Sequence, residues 1–289
     1  MLESLINPKR AEKGPWKMFF IGILYASLSL LLVMLFFGKD PVLSKFSGMI
    51  VVTFSVMFTL PFMYYIFKKE EKKDEEIEGL IHVWKVHKDA ILAFLWLFLG
   101  FVVAFSFWFI VLGDFNLLNA QVETYCAINS PGAIDHCVQQ YSFQNLSQMS
   151  EATGNVTKAT RFFSILENNI YVLIFTLLFS LLFGAGAIFV LSWNATVIAG
   201  AIGIFTKYKI AGIPLGISRY MIHGLPEVAA YFVSALAGGI LGVGLIRNGI
   251  KSRKFVRVFE NVVILLFVSI VILIIAGLME VYLTPMFFH

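Results

Sequence analysis

Apolar runs of about twenty residues recur along this chain and leave it few ways to fold. Trp16–Phe37, Met49–Phe67, Ile91–Leu112, Ile170–Trp193, Leu225–Ile246 and Val262–Leu283 are such runs. Each is long enough to cross a hydrocarbon layer roughly 30 Å thick at about 1.5 Å per helical residue. Backbone groups in lipid have no water to bond to, so these runs close their hydrogen bonds internally as helices. The alternating pattern of a membrane β-strand is absent. Only 14% of the residues are charged, against about 25% in a soluble domain, so one water-soluble core is excluded. The expected fold is all-α. It is a polytopic transmembrane helical bundle of six long spans plus a short broken or re-entrant segment, with an extracytoplasmic loop cap.

Charge placement orients the bundle. Lys9, Arg10, Lys13 and Lys17 precede the first run; Lys68, Lys69, Lys72, Lys73, Lys85 and Lys88 separate the second from the third; Arg247, Lys251, Arg253, Lys254 and Arg257 separate the last two. By the positive-inside rule these clusters face the cytoplasm. The N-terminus is then cytoplasmic, and the expected location is the plasma membrane, crossed many times. The first run exceeds the apolar core of a cleavable signal and is followed by Gly38-Lys39-Asp40-Pro41, so it reads as a retained anchor. Juxtamembrane placement explains the basic clusters, and no nucleic-acid partner is expected.

Three regions follow. Residues 1–112 form a three-span region with a cytoplasmic amphipathic helix at about 69–90. There Ile77, Leu80, Ile81 and Trp84 share a face, while His82 and His87 do not, so no metal site is expected. Residues 113–169 form an extracytoplasmic loop, polar and mildly acidic, and 170–289 a C-terminal membrane core. Cys126 and Cys137 lie close together in the loop. On an oxidising side they favour a disulfide, the alternatives being free thiols or half a metal site. Asn145-Leu-Ser147 and Asn155-Val-Thr157 match the glycosylation acceptor pattern there.

The stretch after Trp193 is harder to place. The fourth run enters from outside, and Leu225–Ile246 ends at a cytoplasmic cluster, so the chain returns outward in between. Asn194–Phe205 is therefore either a seventh crossing, squeezed and tilted, or a broken half-helix. Either way Lys207 and Lys209 come out against the charge rule, or sit in a re-entrant dip. Ala230, Ser234, Gly238 and Gly242 recur every fourth position and predict close helix packing.

Polar groups inside spans are costly and so are the functional candidates. Asn168, Asn169, Asn194, His223, Gly224, Glu227 and Glu280 form an expected intramembrane polar cluster, most of it near the outer leaflet. His223 and Glu227 share a helical face if the helix includes both. Three readings are open for them. Pro226 could start the helix and put Glu227 in its first turn; the residues could form an interhelical network; or they could build a transport or metal site. Glu280, near Pro285, could simply reach interfacial water. No H-E-x-x-H, G-x-S-x-G or P-loop pattern occurs. No catalytic residue, metal ligand set or cofactor is expected.

Four segments resemble one family. They are Glu167-Asn-Asn-Ile170 with Phe183-Gly-Ala-Gly186, Leu191-Ser-Trp-Asn-Ala-Thr-Val-Ile-Ala-Gly200 with Ala195 where glycine is usual, Ile222-His-Gly-Leu-Pro-Glu-Val-Ala-Ala230 with Ala237-Gly-Gly239, and Ala276-Gly-Leu-Met-Glu-Val-Tyr-Leu-Thr-Pro285. They are similar to the motifs of the stage II sporulation protein M family, over roughly Glu167–Pro285, and the long loop with two cysteines looks like an archaeal-type member. The resemblance implies a membrane protein without known enzymatic activity; in spore formers a member acts as a scaffold for peptidoglycan-degrading partners. It also marks Pro285 beside the polar set. The expectation is a non-catalytic scaffold organising envelope-remodelling or other extracytoplasmic partners, the alternative a transporter or permease using the polar site. The partners expected are the lipid bilayer, membrane or extracytoplasmic proteins, and a second copy of the chain.

Overall fold

A computed structural model describes residues 15–74, 80–113, 115–129, 134–140, 158–183, 186–248 and 251–287. Among them there is no strand. The long helices are α1 (Lys17–Phe37), α2 (Ser47–Asp74), α3 (Leu80–Leu112), α6 (Lys158–Phe183), α7 (Gly186–Phe205), α8 (Ile213–Asn248) and α9 (Arg253–Leu278). Two short ones, α4 (Asn119–Asn129) and α5 (Ile134–Gln140), lie between α3 and α6. All seven long helices have the length and hydropathy to cross a membrane. The chain is a multi-pass integral membrane protein.

Of the two alternatives for residues 194–205, the structure takes the crossing. The apolar run from Ile170 ends at Phe183, and a separate 20-residue helix, α7, starts at Gly186 and carries both Trp193 and Asn194. Its end is a tight turn. Tyr208 N–H bonds the Gly203 carbonyl at 2.9 Å and Lys207 N–H bonds that of Ile204 at 3.0 Å, the paired bonds of a Schellman motif. Lys207 therefore takes φ 50° and Tyr208 φ 55°, a left-handed backbone where glycine is usual. The Tyr208 ring packs edge-on against Phe109 at 5.7 Å, which fixes the turn beside the end of α3.

Small residues set the closest helix crossings. A side-chain carbon on Gly238 or Gly242 would collide with the Leu177 or Leu181 carbonyl of α6, and Ser234 donates its hydroxyl to the Leu173 carbonyl at 3.1 Å. These contacts climb both helices together, so α6 and α8 run parallel, with α7 returning between them in sequence. A second parallel pair, α1 and α3, meets at Gly22 and Gly100, where added carbons would collide with the Leu97 and Phe19 carbonyls. Trp108 of α3 donates its indole N–H to Ser27 of α1 at 2.8 Å. The aromatic interior of α3 (Phe94, Phe98, Phe101, Phe105, Phe109) is fully buried at the centre.

Cys126 of α4 and Cys137 of α5 form a disulfide, 11 residues apart in sequence. Asn119 donates to the Lys45 carbonyl at 2.8 Å and Gln121 to that of Gly48 at 3.0 Å. The α4–α5 cap is thereby stitched to the start of α2. Both glycosylation sequons lie outside the described residues, as does residue 184. The region 69–90 is helical on either side of 75–79, as α2 running on to Asp74 and α3 beginning at Leu80. At this end, opposite the cap, Glu70 is almost fully buried. Its carboxylate bonds His87 Nδ1 and Lys73 Nζ, each at 2.6 Å.

Candidate functional site

Pro226 does not start a helix. α8 begins at Ile213, with Pro214 in its first turn, and runs through His223, Gly224, Pro226 and Glu227 without ending. Proline is easily accepted in a first turn, and Pro214 already fills that role. Pro226 instead leaves the Ile222 carbonyl without its helical donor. Asn168 and Asn169 lie inside their helix, which starts at Lys158. Glu227 is therefore a mid-helix carboxyl in a crossing segment, and its stabilisation comes from side chains.

Those side chains are Tyr231 and Asn169. The Tyr231 hydroxyl, one turn on, donates to Glu227 Oε1 at 2.9 Å. Asn169, buried on α6, offers its amide to the same carboxyl. The Asn169 oxygen in turn accepts from the exposed Asn168 amide at 3.3 Å. Asn169 sits one turn before Leu173, so the small-residue stripe that draws α6 and α8 together also brings its amide against Glu227.

One turn earlier on α8, His223 Nδ1 lies 3.1 Å from Thr284 Oγ1. Thr284 donates its one hydroxyl proton to the Met279 carbonyl at 3.1 Å. With that proton committed, the His223 Nδ1 atom carries its own and acts as the donor, a tautomer assigned from the network. Pro285 explains the local backbone. Lacking an N–H, it cannot continue an α-helical ladder, and the turn before it, Met279–Leu283, widens to a π-helix. Glu280 lies on that turn, close enough to Glu227 to interact electrostatically, and Arg161 of α6 does the same with Glu280 and His223. Two carboxyls, one imidazole and one guanidinium thus gather from three helices.

Asn194 and Gly224 stand apart from this network. Asn194 bonds back to the Val190 carbonyl of its own helix at 2.8 Å. It meets the cluster only across a crevice lined by Val190, Leu191, Val228, Tyr231 and Phe232, which has no room for a water molecule. Gly224 faces α7; a carbon added there would meet Ile198 at 3.9 Å, an ordinary contact. Tyr231, Thr284 and Arg161 are the members that sequence reading missed. Tyr231 could have been found, being four residues from Glu227 on the same face.

The inner Glu70–His87–Lys73 group was also missed. Burial pushes the Glu70 carboxyl up, but the hydrogen bonds from His87 and Lys73 outweigh it and hold it below its ordinary value of 4.5. No group of three or more His, Cys, Asp and Glu placed to hold a metal occurs among the described residues.

No curated protein and no solved structure matches the chain significantly. A family model described as stage II sporulation protein M matches residues 88–285. The match reaches back from the C-terminal spans through the disulfide cap into α3, and it contains every residue of the polar cluster. The chain belongs to the stage II sporulation protein M family.

Proposed function

We propose that this protein is a non-catalytic scaffold of the plasma membrane, with a cytoplasmic N-terminus, which holds envelope-remodelling or other extracytoplasmic protein partners at its cap and outer helix ends. One observation carries the reading: Glu227 accepts from Tyr231, His223 pairs with Thr284, and the crevice between Tyr231 and Asn194 excludes water. Polar groups so committed tie helices together in lipid. A transport path would need wet, uncommitted groups. The disulfide and the two bonds to Lys45 and Gly48, just before and at the start of α2, give the cap the rigidity a docking platform needs. The test is cross-linking and purification from native membranes. Reproducible recovery of extracytoplasmic or membrane proteins, reduced when the cap disulfide is removed, supports the scaffold, and recovery of none contradicts it.

A transporter is the second reading, favoured by two helix irregularities at one level: Pro226 within α8 and the π-turn of Met279–Leu283. Solute or ion flux in liposomes that is lost on Glu227→Gln would establish it, and absence of flux would remove it.

A further inference from the structure

Beside the α1–α3 crossing, on the lipid-facing side, an apolar groove of about 290 Å³ opens between Ile23 of α1, Val103, Ala104 and Phe107 of α3, and Ile213 at the start of α8. That volume is at the small end of ligand pockets, roughly 300–1,000 Å³: room for a stretch of one hydrocarbon chain. The two polar side chains in its wall satisfy each other, since Trp108 donates to Ser27. Such a lining offers water nothing and stays dry or takes an apolar occupant. Phe107 is 41% exposed, so the groove is open sideways to the bilayer.

The segment that leads into its Ile213 wall is cationic. The helical turn Ile210–Gly212 leads straight into Ile213, and the exposed residues Lys207 and Lys209 precede it. They stand at the cap end, where the charge rule disfavours lysine. Lys207 also occupies a left-handed position that favours glycine. Neither the topology nor the backbone explains a lysine there.

We propose that this groove binds an anionic phospholipid, one acyl chain lying against Ala104 and Trp108 and the phosphate headgroup held by Lys207 and Lys209. Long lysine side chains reach a headgroup while their stems stay on apolar surface. The proposal is independent of whether the protein is a scaffold or a transporter.

The full chain is reconstituted in bilayers with phosphatidylglycerol or phosphatidylcholine brominated on the acyl chains. Quenching of Trp108 is read as the difference between wild type and Trp108→Phe. The expected result is quenching by the anionic lipid at about thirtyfold lower mole fraction, the scale two lysines give near a charged surface. The preference disappears in the Lys207→Gln/Lys209→Gln variant, and in wild type it shrinks as salt rises. Added inorganic phosphate, which has no tail for the groove, leaves it unchanged. Equal quenching by both lipids, or a preference that survives salt, overturns the proposal. So does competition by phosphate, which would mean a headgroup site without a groove.

Discussion

The Tyr231 hydroxyl of α8 donates to Glu227 Oε1 at 2.9 Å, and the same carboxyl faces Asn169 of the neighbouring α6. A carboxyl in mid-helix, at membrane depth, is thus enclosed by donors from its own helix and the adjacent one. Removing one donor should expose that dependence. Tyr231→Phe is expected to lower stability by about 1 kcal/mol, the scale of polar contacts between helices in lipid. Asn169→Ala should cost a similar amount. Because both act on Glu227, the double variant should depart from additivity. Unfolding midpoints in detergent measure all three, and full additivity would mean that the two do not share a partner.

The contrast between Gly238 and Gly224 is a second prediction. Gly238→Leu forces a side chain into the Leu177 carbonyl and should cost on the order of 3 kcal/mol or prevent folding. Gly224→Ala adds a carbon that meets only ordinary contacts, so it should be neutral or stabilising by up to about 1 kcal/mol through helix propensity. Thermal melting of the two variants separates close approach from mere motif membership.

How much of this was legible beforehand depends on the residue. Lipid dictates helices wherever about twenty apolar residues run together, and the spacing of Ala230, Ser234, Gly238 and Gly242 already marked the face that meets α6. Hydropathy does not mark where one apolar helix stops and the next begins. The residues on both sides of 184–185 are equally apolar, so Trp193 read as the end of a span when it lies inside α7. Pro226 misled for a related reason. A proline signals a helix start only if no better start precedes it, and Pro214 does. Glu70 was hidden in a run of alternating charges, Lys68 to Glu78, where nothing local marks it as a carboxylate that packs inward against His87.

Reducing the Cys126–Cys137 bond should loosen the cap and leave the spans intact. A disulfide closing so short a loop is worth about 2–3 kcal/mol. Cys126→Ser/Cys137→Ser is therefore expected to speed proteolysis of the α4–α5 region while the helical signal of the membrane core is unchanged. A cap as resistant as wild type would mean that Asn119 and Gln121 suffice to hold it.

Acid should weaken the opposite end. The folded Glu70 carboxyl lies below its ordinary value of 4.5, so its stabilising effect is complete above that value and fades as pH falls through the lower folded one. Glu70→Gln removes this dependence. Comparing the melting of wild type and Glu70→Gln as pH drops below about 4.5 tests the sign. The stability gap should narrow with acid, and a widening gap would place the folded value above the ordinary one.

Water access at position 227 is the most direct test of a closed polar knot. Glu227→Cys, reconstituted in liposomes, is treated from each side with a small membrane-impermeant thiol reagent, with unfolded protein as the reference for full reaction. The native disulfide leaves no other free thiol. Protection from both sides is the expected result, since the Glu227 carboxyl is engaged by Tyr231 and the crevice on the other side of Tyr231 has no space for water. Rapid modification from either side would mean a hydrated path reaches Glu227, and the protein would then have to be understood as a conduit.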